Sequence, residues 1–173
     1  FLRPKKISTK YSDEIEFIKH ALSFLKKNED YQPDIIVRLL ATVPFQKTSE
    51  IDKVINLIVK KKYDSSVIIS KAKQHPRKAL KIIGNKKKYL VSYISKKGVD
   101  IGRKNNRLIN EKNEKVFFRS NVIACKLQVL KKNDSLCNNK TGYVLISNKN
   151  NIDIDSEDDF NFAEYILKKK LAR

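Results

Sequence analysis

Ile152-Asp153-Ile154-Asp155 sets two carboxylates one residue apart in a chain that is otherwise strongly basic. The segment reads as a strand, in which alternate side chains share a face, so Asp153 and Asp155 are expected to face one way and Ile152 and Ile154 the other. Two carboxylates roughly 7 Å apart at a strand end suit a hard divalent cation that keeps its waters and takes phosphate oxygens as further ligands. Ser156-x-x-Asp159 follows as a capping-box-like helix start, after which Phe160, Ala163, Ile166, Leu167 and Leu171 recur at helical spacing. The same residues also read as a solvated acidic turn that caps the last helix. Spacing alone leaves both readings open.

Other reactive residue types are sparse. Cys125 and Cys137, with only His20 and His75 to help them, supply neither a disulfide framework nor a zinc site. Neither cysteine has a convincing histidine partner, and His75 reads as structural, so no protein nucleophile is expected. A reducing, cytoplasmic setting is the default. No apolar run reaches membrane-spanning length and no signal-peptide pattern opens the sequence.

Net charge is +19, which ordinarily raises nucleic acid as a partner. However, 31 of the 38 basic residues are Lys, spread along the chain beside abundant Asn and Ile. A nucleic-acid surface more often gathers Arg and aromatics in one stripe, because Arg makes bidentate phosphate and base contacts. The distribution therefore argues for compositional drift over a dedicated nucleic-acid surface.

The elements that must carry these residues follow from periodicity. A helix is expected from Ser12 or Asp13, with Glu16 at the box position and Ile15, Ile18, Leu22 and Leu25 on one face. Residues 34–40 form a nearly continuous apolar run, the mark of a strand buried on both faces of a parallel sheet. A second helix is expected from Thr48 or Ser49, with Ile51, Val54, Ile55 and Ile58 inward, and 66–70 reads as the next strand. Strand, helix, strand at this spacing is a βαβ unit, which predicts an α/β sandwich. Further strands are expected at 89–94, 116–125 and 143–147, and 95–115 reads as a polar loop. With 173 residues the chain suits a single domain, 1–173.

Several segments, taken in order, resemble the acylneuraminate cytidylyltransferases. They are Phe1-Leu2-Arg3-Pro4, His20-Ala21-Leu22, residues 34–44, His75-Pro76-Arg77-Lys78-Ala79-Leu80-Lys81, Phe118-Arg119-Ser120-Asn121, and Ile152-Asp153-Ile154-Asp155 with Asp159-Phe160 and Ala163-Glu164. The resemblance implies a Rossmann-like three-layer sandwich with a mostly parallel sheet. It also implies a nucleotidyltransferase that passes CMP from CTP to an acidic nine-carbon sugar, such as sialic or legionaminic acid, and releases pyrophosphate. Asp153 and Asp155 would then hold Mg2+ against the nucleotide phosphates. Lys78 would be a cationic contact to sugar or nucleotide, Arg119 and Asn121 would approach the sugar, and Arg3 would lie near the nucleotide. A further family Arg corresponds to Arg107 or Arg103. Members of the family are commonly homodimers.

The departures carry expectations of their own. The family's Gly- and basic-rich phosphate loop has no counterpart here, so its first strand-loop-helix unit is expected to lie outside this chain, and catalysis by the chain alone is not expected. The family's Gln-Pro-Thr-Ser-Pro-Leu-Arg becomes Leu40-Ala41-Thr42-Val43-Pro44-Phe45-Gln46, the usual Asn-Gly becomes Asn121-Val122, and Cys125 stands where a family Tyr is usual. These changes thin the sugar contacts more than the acidic pair. Two alternatives follow: a divergent, non-catalytic relative, or a basic nucleic-acid-binding domain.

Overall fold

A computed structural model describes residues 1–94, 115–148 and 151–171. The helix expected at Asp13 forms as α1, Glu14–Glu29. Its start is a reciprocal box: the Asp13 carboxylate accepts from the Ile15 N–H at 2.8 Å, and Glu16 Oε2 accepts from the Asp13 N–H at 3.3 Å. Two orphan amides at the helix end are thereby satisfied. Then follow β1 (Ile35–Arg38), α2 (Thr48–Val59), β2 (Ser65–Lys71), β3 (Leu80–Ile83), β4 (Tyr89–Ser92), β5 (Phe117–Lys126), α3 (Leu127–Asn133), β6 (Thr141–Ile146) and α4 (Glu157–Leu171). The N-cap of α2 is Lys47, one residue ahead of the expected Thr48 or Ser49, and its backbone N–H donates to Glu50 Oε2 at 3.3 Å.

The architecture is mixed α/β, with strands in the order β1-β5-β2-β6. β2 and β6 pair in parallel from Ser65↔Thr141 to Ser70↔Ile146. β5 pairs antiparallel with β1 on one side and β2 on the other. Hence β1, β2 and β6 run one way, yet two of the three adjacent pairings are antiparallel, where the sequence reading expected a mostly parallel sheet. The β1-α2-β2 crossover forms, but its strands are not neighbours, because β5 lies between them. The physical reason is in β5 itself: Val122, Ile123, Ala124 and Cys125 are all buried, so the strand needs cover on both faces and takes an interior place. β1 ends up at the sheet edge and only half-buried. β4, expected as a sheet strand, instead pairs with β3 in a separate two-stranded sheet.

Alternation along the central strands sends apolar side chains to both faces. Val67, Ile123 and Cys125 meet Ile18 of α1 and Val129 and Leu130 of α3. Ile68, Val122 and Ala124 meet Val54 and Ile58 of α2. Each fully buried aliphatic side chain contributes about 1.5–3 kcal/mol through removal of its surface from water. Buried hydroxyls are satisfied: Ser66 Oγ donates to the Val54 carbonyl at 2.7 Å, and Ser65 Oγ lies 2.6 Å from Thr141 Oγ1. On α4 the helical spacing produces far less burial. Ala163 is buried, whereas Phe160, Leu167 and Leu171 are exposed.

Candidate functional site

The three codirectional strands β1, β2 and β6 end at one edge of the sheet, the edge at which open α/β sheets form ligand crevices. The described residues that follow them, 39–43, 72–78, 147–148 and 151–155, therefore converge on the same side. β5 enters from the opposite direction and bulges there: Val67 pairs with Ile123, but Ile69 pairs with Arg119, leaving two extra residues on β5. A bulge re-aims side chains out of the regular ladder. Here it turns Ser120 and Asn121 toward the acidic segment.

That segment is not a strand. Residues 151–155 are in neither sheet and are pinned by side chains and one amide. Asn151 accepts from Ser120 Oγ and donates through Nδ2 to Ser70 Oγ at 2.9 Å, both serines being buried. Ile152 is buried, and the Ile154 N–H donates to the Thr42 carbonyl at 2.9 Å. Between these fastenings Asn121 Nδ2 donates to Asp153 Oδ2 at 2.6 Å. Asp153 Oδ1 is shielded from solvent and has no hydrogen-bond partner among the described residues. A buried carboxylate oxygen without a donor is costly, which makes it the atom a cation or an external donor would satisfy.

Asp155 is exposed, and the helix start lies immediately beyond it. The expected box forms in full: the Asp159 N–H donates to Ser156 Oγ at 3.3 Å, and the Ser156 N–H to Asp159 Oδ2 at 3.0 Å. The Ser156 hydroxyl, donating to Asp159 Oδ2 at 2.6 Å, chiefly holds the Asp159 carboxyl below its ordinary pKa, helped by nearby backbone amides and by the charge of Lys73.

Lys73 belongs to a second feature at this edge. A cavity of about 330 Å³ is lined by Lys71, Lys73, His75, Lys78, Lys115 and Phe117. Four lysines around partly apolar walls form an environment for an organic anion. His75 caps the short 3-10 turn Pro76–Lys78, its Nδ1 accepting from the Arg77 N–H at 3.3 Å, which suits a structural role.

The sequence-predicted residues thus divide. Asn121 and Asp153 are joined directly, Asp155 follows on the same segment, and Lys78 lines the cavity. Arg119 is exposed and carries its charge toward Cys137. Arg3 rests on α1, its Nε donating to Ser8 Oγ at 3.1 Å and its guanidinium 5.6 Å from the Phe17 ring centroid. Arg107 and Arg103 lie outside the described residues. Arg38, Glu14, Asn151, Ser70 and Ser120 were missed. Arg38 alone left a trace, as a charge set in an apolar run. Among the described residues no three His, Cys, Asp or Glu side chains gather around one point, so an ion here would depend on two carboxylates, water and ligand oxygens. Burial pushes the Cys125 thiol up to about 11 and raises that of Cys137, so neither is primed as a nucleophile at neutral pH. No helix among the described residues is long and apolar enough to cross a membrane. Compared with known proteins, the chain matches no family model and no curated sequence.

Proposed function

We propose that this chain is the metal- and sugar-binding portion of a nucleotidyltransferase that moves CMP from CTP to an acylneuraminate-type nonulosonic acid, on a Rossmann-like three-layer framework. The observation that supports it best is the Asn121–Asp153 hydrogen bond. Two residues distant in sequence, which the resemblance assigns to one site, meet where β1, β2 and β6 end, the sheet edge that also carries a lysine-lined cavity.

In the reaction the anomeric oxygen of the sugar attacks the α-phosphorus of CTP. The bond to the bridging oxygen breaks, and pyrophosphate leaves with its electron pair. Such chemistry asks for positioning and charge neutralisation more than for a protein nucleophile. Asp153 and Asp155 would hold Mg2+, whose chemistry when bound is to neutralise phosphate charge. Asn121 orients the Asp153 carboxylate through Oδ2. Lys78, with Lys73 and Lys115 around the same cavity, would draw in the carboxylate of the acidic sugar. Lys78 acts here as a point charge, without the bidentate geometry an Arg would impose.

The test is Mg2+-dependent formation of a CMP-sugar from CTP and a panel of nonulosonic acids by the gene product in full. Asp155→Ala is expected to abolish turnover. Wild-type turnover by that variant would refute the assignment, and sugar binding without any turnover would mark a divergent, non-catalytic relative. One feature favours a second reading, a basic nucleic-acid-binding domain: the exposed Tyr89 and Tyr93 each carry a lysine, Lys87 and Lys81, 5.9 Å from the ring centroid.

A further inference from the structure

We propose that Arg38 is a positioning residue for Asp153; this rests on the reading of Asp153 as a cation ligand. Glu14, the first residue of α1, grips the Arg38 guanidinium with both carboxylate oxygens, Nη2 lying 2.6 Å from Oε2. Nη1 of the same guanidinium donates to the Asn121 carbonyl at 3.0 Å. A planar fork makes these contacts at once, whereas a lysine ammonium has no such geometry. Asn121 lies in the β5 bulge, where the ladder to β2 is interrupted. With its carbonyl fixed by Arg38, its side-chain amide is aimed at Asp153 Oδ2, and Oδ1 is left for a cation. Glu14 has a second effect. It neutralises Arg38, so the guanidinium neither competes for the Asp153 carboxylate nor repels an incoming ion. Orientation of a metal ligand by hydrogen bonds one step removed typically changes metal affinity by about 10- to 100-fold.

The experiment titrates the protein with Mn2+ alone and follows the free ion by electron paramagnetic resonance. Far-UV circular dichroism and thermal melts verify folding of each variant. Asp153→Ala is expected to lose the retained ion. Arg38→Gln and Arg38→Lys are both expected to weaken retention by about ten-fold or more, the lysine failing to rescue because one ammonium does not bridge Glu14 and Asn121. In a parallel NMR measurement without metal, the Asn121 side-chain amide is expected to exchange slowly in the wild type and rapidly in Arg38→Gln. If Arg38→Gln does not fold, Glu14→Gln replaces it, with the same expected direction. Unchanged Mn2+ affinity in a folded Arg38 variant, with loss in Asp153→Ala, overturns the positioning role and leaves the metal reading standing. Retention unaffected by Asp153→Ala, or no Mn2+ retained by the wild type, overturns the metal reading and this inference with it.

Discussion

Asp153 and Asp155 are equivalent in the sequence and unlike in the fold. One is half-buried, with an oxygen held by Asn121; the other is exposed beside the start of α4. The acidic motif was legible from composition and spacing, but the strand expected to carry it does not form: residues 151–155 lie outside both sheets, held by Asn151, Ile152 and the Ile154 amide. Arg38 was not legible. A single charge in an apolar run reads as a strand end, and nothing local reveals that Glu14 and Asn121 will reach it from two other elements. Cys125 offers a residue-scale test of the core. Its thiol is raised from 9.0 to about 11, chiefly by burial, so the native state favours the protonated form. The associated stability is complete below pH 9 and is lost as pH rises through about 11. Denaturant midpoints measured across that alkaline window should fall for the wild type and fall less for Cys125→Ala. Equal pH slopes in the two proteins would disprove the assignment.

At the scale of elements, helix starts were the most legible feature. Asp13 and Ser156 both cap as their sequence patterns indicate, since a box needs only residues three apart. Ser156→Ala should cost about 1 kcal/mol, seen as a melting-point decrease of roughly 2–4 °C for a chain of this size. The Asp159 carboxyl, its pKa lowered mainly by Ser156, stabilises the fold above its unfolded value of 3.8 and ceases to do so as pH falls through its lower native value. The loss from Ser156→Ala should therefore shrink at strongly acidic pH; a penalty independent of pH would show that the hydroxyl acts on the helix without Asp159. The β5 bulge could not be read. Periodicity continues through Asn121 and Val122, and only pairing with β2 reveals two surplus residues.

For the whole molecule, the α/β class and the β1-α2-β2 crossover were readable, because hydrophobic runs and helical spacing are local. Strand order was not, since it depends on which strand needs cover on both faces. The outward position of much of α4 and of the β3-β4 hairpin was hidden for a related reason: apolar spacing indicates a face and not what meets it. Charge is a property of this scale, and it gives the nucleic-acid alternative its test. If the +19 balance serves an oligonucleotide, binding of generic single strands should fall steeply as salt rises from 50 to 200 mM, and replacing Tyr89 and Tyr93 with Ala should weaken it further. Binding that is undetectable at 50 mM salt excludes that reading.

The place of β5 between β1 and β2 also bears on the order of events during synthesis. Both flanking strands leave the ribosome well before residue 117, so each is made before the strand that joins them in the native sheet and has an unpaired edge until β5 arrives. A nascent chain at that stage cannot zip its sheet from one end to the other, and an incoming strand from another molecule would find the same unpaired edges. Assembly is therefore governed by a late, long-range insertion, the kind of closure that is slow and exposed to misassembly.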